Sequence, residues 1–179
     1  MIELICIGTL ITIVIIISDR KKSKKYRKKH KTPKQKGIEG ENVISNIIQY
    51  APMYKKIVRN AYIDMNENKK TEIDIIAIST KGIYVIESKN YEGWILGDEK
   101  SNQWCQNIYN KKSYFYNPIK QNQTHIKSIN KILQLDEKMY ESLIIFNKAE
   151  IKKMFVSSSR TYVMNIQKFR FYMSKQDKL

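Results

Sequence analysis

Cysteine is nearly absent. Two residues in 179, Cys6 and Cys105, lie in unrelated surroundings, which excludes a disulfide framework and a cysteine-based zinc cluster. Glycine is scarce too, with six residues, and none belongs to a glycine-rich loop that could cradle phosphate. There is no internal repeat and no Ser-His-Asp nucleophile arrangement. Acidic residues are outnumbered, 17 Asp+Glu against 33 Lys+Arg, for a formal net charge of +16. Apolar residues still make up 42% of the chain, enough for a core, so wholesale disorder is excluded. The length suits one ordinary domain and little else.

The positive charge is unevenly placed. Residues 1–18 are almost wholly apolar, with Glu3 their single charge. Residues 19–36 hold eleven Lys+Arg and one Asp, a net of +10, and residues 37–179 carry +7. The whole-chain charge therefore overstates the case for a nucleic-acid-binding surface on the globular part. As a helix, the first 18 residues would span roughly 27 Å, close to the ~30 Å hydrocarbon core of a bilayer. A cleaved signal peptide would need a basic start and a small-x-small cleavage site, but no Lys or Arg precedes Arg20 and the segment ends Val14-Ile15-Ile16-Ile17-Ser18. A buried core helix is the third reading. The segment is expected to be a retained transmembrane anchor, followed by a basic cytoplasmic linker, 19–36, that attracts anionic lipid. That orientation gives a single-pass cell-membrane protein with its C-terminal domain in the cytoplasm. The rival reading of the basic run is a nucleic-acid-binding arm.

Residues 37–150 form the expected main domain, with 151–179 an extension completing it. Gly37 to Glu41 opens a helical pattern in which Val43, Ile44, Ile47 and Ile48 make one stripe, and Pro52 stops it after Gln49. Glu41 falls in the expected first turn, where a helix dipole favours a carboxylate. Residues 54–62 read as a strand, and 71–79 with 83–90 as a hairpin around Lys81-Gly82. With Thr80 opposite Ile83, Asp74 faces Lys89 and Glu87 is its diagonal neighbour. Glu87 and Lys89 share a face because they are two apart. Magnesium takes one or two protein carboxylates with waters and phosphate, and a nearby lysine can orient water or steady developing charge. A cross-strand ion pair explains the same spacing. Against it stand Ile73, Ile75, Ile76, Val85 and Ile86, which suggest burial, where charge is costly unless paired or functional. The aromatics Trp94, Trp104 and 114–116 read as core and edge packing rather than base-stacking platforms. Asn117-Pro118 starts a helix with Ile119, Ile126, Ile129, Ile132 and Leu133 on its apolar face and Gln121, His125 and Lys131 on others.

Gly40-Glu41, Glu72-Ile73-Asp74, Gly82-Ile83-Tyr84-Val85-Ile86-Glu87-Ser88-Lys89-Asn90-Tyr91, Gly93, Trp104 and Asn117-Pro118 with Gln121 stand in an order that resembles the nuclease-related domain, NERD. That family is similar to the PD-(D/E)XK nuclease superfamily, in which a helical Glu, a strand Asp and a Glu-x-Lys pair form a magnesium site. The resemblance covers about residues 37–150. It implies an α/β, restriction-endonuclease-like fold, a mixed central sheet flanked by helices, here behind one N-terminal transmembrane helix. It implies Asp74 and Glu87 as the main ligands of Mg or Mn, Glu41 completing the metal site and Lys89 orienting water or stabilising charge. Gln121 would be an additional polar residue of the site. The implied function is hydrolysis of DNA phosphodiester bonds by a membrane-anchored nuclease. The alternatives are a non-catalytic module binding nucleic acid or a partner at the membrane, and a scaffold.

Overall fold

The computed structural model describes residues 32–66 and 69–176. The expected membrane anchor, 1–18, and the basic run up to residue 31 lie outside the described residues. Among the described residues no helix is long and apolar enough to cross a membrane.

In chain order the elements are α1 (Pro33–Gln49), β1 (Lys55–Asn66), β2 (Lys69–Ser79), β3 (Gly82–Lys89), β4 (Trp94–Asp98), β5 (Gln103–Ile108) and β6 (Lys111–Tyr116). There follow α2 (Pro118–Leu133), β7 (Tyr140–Phe146), β8 (Glu150–Phe155), β9 (Thr161–Asn165) and α3 (Ile166–Ser174). The helix α1 begins four residues before its expected start, with Pro33 as its first residue, where the missing N–H is no loss. Glu41 is consequently in mid-helix and not in the first turn, so the dipole account of it fails. Ile44, Ile47 and Ile48 are buried as the stripe requires, while Val43 is exposed at its rim.

The main sheet has the order β1-β2-β3-β7-β9. The first three strands form an antiparallel meander, and β7 and β9 add in parallel. Helices α1 and α3 cover one face over Ile75, Ala77, Tyr84 and Ile86; α2 covers the other over Ile73, Ile76, Ile83 and Val85. Strands β3 and β7, buried on both faces, are apolar runs without alternation. Beyond residue 150, β9 pairs with β7 from Ser142/Thr161 to Phe146/Asn165, and Phe169 and Met173 of α3 enter the core.

The β2–β3 hairpin corrects the expected register. Ser79 pairs with Gly82, so the turn is Thr80-Lys81. Gly82 has φ +136°, and a Cβ there would lie 2.6 Å from the Met139 carbonyl oxygen. The register is two residues from the expected one, and an even slip leaves every side chain on its face. Continued beyond its last bonded pair, it puts Asp74 opposite Glu87, with Lys89 as the diagonal neighbour.

That last pair is Ile75/Ile86, where the β2–β3 ladder stops. Strand β2 continues with β1 as far as Lys69, and β3 continues with β7 to Lys89/Phe146. Asn60 lies between the pairs Arg59/Ile75 and Ala61/Ile73, with a left-handed φ of 49°. Odd-numbered residues change face there: Ile57, Ile75 and Ala77 pack under α1, but Ala61, Ile63 and Ile73 pack under α2. The sheet thus forks at Asp74.

The second sheet has the order β6-β5-β4-β8, with β4 and β8 parallel. Trp104 is 1% exposed, packs against Phe115 and Phe146, and donates its indole N–H to the Asp98 carbonyl at 3.0 Å. Buried Asn117 caps α2 by accepting the Ile119 N–H at 2.9 Å, and its amide donates to the carbonyls of Asp98, Glu99 and Ser101. The Asn-Pro pair therefore fixes where α2 starts relative to the β4–β5 turn.

Candidate active site

Four of the five sequence-predicted residues meet around the fork. Asp74 Oδ2 accepts the Ser88 backbone N–H at 2.8 Å, so a side chain takes a strand N–H where the ladder ends. Glu87 is 2% exposed, and both its oxygens are engaged. Oε1 lies 2.6 Å from Lys89 Nζ and Oε2 3.3 Å from His125 Nε2. Lys89 also donates to Gln121 Oε1 at 3.1 Å. The fifth residue, Glu41, reaches in from α1, where Arg59 lies 3.6 Å away and the Asn60 amide donates to it at 3.1 Å. Its charge is felt at Asp74. Gly40 permits this approach: a Cβ there would lie 3.2 Å from Ser88 Oγ and 2.5 Å from Asn147 Nδ2.

His125 is the residue that sequence reasoning missed. It is 3% exposed, and its Nδ1 is 2.9 Å from Thr71 Oγ1, so the ring joins the two arms of the fork, β2 through Thr71 and β3 through Glu87. Gln121 and His125, expected on faces other than the apolar one, turn toward the sheet beside Ile119, Ile126 and Ile129, which pack against the core as expected. The two polar residues are one helical turn apart and both reach the β3 site, while Ile132 and Leu133 of the supposed apolar face are exposed. The four-residue spacing from Gln121 was the available signal. Asn122, fully buried between them, donates to the Val85 carbonyl at 2.8 Å and to Ser142 Oγ at 2.9 Å, which bolts α2 across β3 and β7. A separate cleft of about 700 Å³, lined by Gln123, Lys127, Asn130, Ser142 and Arg160, includes none of Glu41, Asp74, Glu87, Lys89, Gln121 and His125.

The electrostatics split the two carboxylates. Burial, then the Glu87 charge, push the Asp74 carboxyl up to about 7, against the opposing pull of the Ser88 N–H and Lys89. Burial also works against Glu87, but the His125 hydrogen bond and the Lys89 ammonium outweigh it and hold that carboxyl below its ordinary value. The site is short of positive charge at Asp74. Its donors are carboxylate oxygens, and among the described residues no three His, Cys, Asp or Glu side chains form a metal cage. Two carboxylates without a cage suit a hard divalent cation that keeps several waters, and its charge would offset the deficit at Asp74.

A forked mixed sheet with two carboxylates and a lysine at the fork is a nuclease-like α/β arrangement. The nuclease-related domain model matches residues 36–147, and the chain belongs to that family. Kinship with the PD-(D/E)XK nucleases is consistent with this fold. An uncharacterized protein of Bacillus anthracis is 34% identical over 163 residues, which is 90% of this chain and 72% of the relative. That stretch is longer than the family match, so the likeness includes residues outside it. No solved structure matches the chain.

Proposed function

We propose that this protein is a metal-dependent nuclease hydrolysing phosphodiester bonds of DNA, held at the cell membrane with its domain in the cytoplasm. The observation that carries the catalytic reading is the convergence of Asp74, Glu87 and Lys89 where the β2–β3 ladder opens. Asp74 and Glu87, supported by Glu41, would hold Mg or Mn. The ion, when bound, supplies a water of lowered pKa and stabilises negative charge at phosphorus. Lys89 orients the attacking water or steadies the charge on the phosphoryl oxygens. It is shared between Glu87 and Gln121, so Gln121 keeps the ammonium in place if Glu87 turns toward a cation. His125 holds the Glu87 carboxylate from its other side. Asp74 must lose its proton to bind the ion, so metal affinity rises with pH up to about 7.

The membrane placement rests on the apolar run 1–18 and the basic run that follows it, which also favours anionic lipid. Membrane fractionation of chains with and without residues 1–18 tests it; equal partition of both would sink it. The catalytic reading is tested by incubating the full chain in detergent with supercoiled plasmid and Mg or Mn, beside Asp74→Ala and Lys89→Ala. Cleavage that is lost with EDTA and in both variants supports the enzyme. A folded parent inert on DNA and on RNA with either metal would replace it with a non-catalytic binding module.

A further inference from the structure

We propose that the outer face of the second sheet is a stacking platform for single-stranded nucleic acid. Tyr114 and Tyr116 are two apart on β6 and share a face. The registers carry that face through Cys105 on β5 to Trp94 and Leu96 on β4, and on to Lys153 and Phe155 on β8. The inner face buries Trp104 and Ile95, so the sheet sorts its aromatic residues into two sets. On the outer face Tyr114 is 65% exposed, Phe155 58%, Tyr116 56% and Trp94 48%. A solvated sheet face ordinarily carries polar residues, so four large exposed rings on one face mark a binding surface.

Lysines say what would bind. Lys152 Nζ lies 5.1 Å from the centre of the Trp94 ring, and Lys153 Nζ lies 5.5 Å from that of Phe155. Lys112 continues the row of Trp94 on the edge strand. The acids on this face are Glu150, paired with Lys152 at 2.8 Å, and Asp98, which accepts the Lys100 backbone N–H at 2.7 Å, so the three lysines outnumber the carboxylates by one. An apolar protein partner would bury the ammonium groups at a large desolvation cost. A single strand suits both sets of groups, because its phosphates draw the lysines off the rings and its unpaired bases take their place. A duplex keeps its bases stacked inside and offers the rings nothing. Trp94 follows Lys89 by five residues, at most ~18 Å of chain, so a strand bound here passes near the forked site. The surface is separate from the carboxylates, and the proposal stands or falls independently of cleavage.

The test uses the full chain in detergent micelles, at physiological salt with EDTA so that metal-dependent cleavage plays no part. Fluorescence anisotropy follows a fluorescein-labelled oligothymidylate and, in parallel, a duplex of equal length. Tyr114→Ala and Tyr116→Ala should each weaken single-strand binding about tenfold and leave duplex binding unchanged. Tyr114→Phe should bind like the parent, and Tyr50→Ala, an exposed ring elsewhere, should have no effect. Unchanged single-strand affinity in the Tyr114→Ala/Tyr116→Ala pair would overturn the proposal. So would an equal loss for the duplex, or a Tyr114→Phe variant as weak as Tyr114→Ala. The rings are solvent-exposed, so an unchanged melting midpoint confirms that each variant is folded.

Discussion

Replacing Asp74 by Asn should make the metal-free protein more stable at pH 8, although it removes a proposed metal ligand. The carboxyl sits at about 7 in the folded chain against an ordinary 3.8. A group raised in this way imposes no penalty below pH ~4. The penalty grows as pH rises toward 7 and is constant above it, because the unfolded chain has released its proton first. Three pK units correspond to about 4 kcal/mol at ~1.4 kcal/mol each, which is a ceiling. Asn keeps an oxygen for the Ser88 N–H, but its own N–H groups in a part-buried site need partners, at about 1–3 kcal/mol if unsatisfied. The expected net gain at pH 8 is therefore about 2 kcal/mol, shrinking to nothing or reversing by pH 5. Thermal unfolding in EDTA, followed by the fluorescence of buried Trp104, measures it at both pH values. Added Mg should raise the midpoint of the parent at pH 8 and leave that of Asp74→Asn unmoved. A variant less stable than its parent at pH 8, or a difference independent of pH, would refute the account of Asp74 as a carboxylate held under repulsion.

Other outcomes follow from the same geometry. His125→Ala leaves Glu87 Oε2 and the Thr71 hydroxyl without the ring between them, and should cost about 2 kcal/mol in urea unfolding and slow plasmid cleavage. Gly40→Ala should displace Asn147 from its 3.1 Å bond to Ser88 and shift α1, costing about 1 kcal/mol in urea unfolding while reducing metal-dependent cleavage more than stability. Trp104→Ala should cost about 3–5 kcal/mol by the same measurement, since the ring is wholly inside. Burial opposes ionisation of Glu99, but the hydroxyls and N–H groups of Ser157 and Ser158 outweigh it and lower its carboxyl to about 2. The stability it lends is full above pH ~4.5 and lost as pH falls toward 2, and Glu99→Gln should flatten that acid limb of the melting profile.

The sequence was most informative where chemistry and periodicity coincide. Asp74, Glu87 and Lys89 share a face under the observed register and under the expected one, because the slip was even. The error lay in the turn: Lys81-Gly82 reads as the apex, but the packing of Met139 against Gly82 makes that glycine the first paired residue. The fork was invisible, since it depends on a left-handed Asn60 that no alternation of apolar residues announces. His125 was missed for a similar reason. Its burial is decided by α2 crossing the open fork, a tertiary fact; the apolar stripe placed Ile119, Ile126 and Ile129 against the core correctly but did not show that His125 enters beside them, and it ran on to Ile132 and Leu133, which are exposed. The aromatics, expected as core and edge packing, divide: Trp104 is buried with Phe115 half-buried against it, while Trp94 and, on the edge strand β6, Tyr114 and Tyr116 are exposed.

The pairing of β9 with β7 has a practical consequence for anyone who cuts this chain at the family boundary. A fragment ending near residue 147 would keep every proposed catalytic side chain and lose the strand that covers Leu143-Ile144-Ile145-Phe146. It would also lose Phe169 and Met173 from beneath the meander. What remains is a bare, apolar, parallel-type edge with its N–H and C=O groups unpaired, a template for any similar strand nearby. Such a fragment should be recovered as aggregate, and its inactivity would say nothing about Asp74 or Lys89.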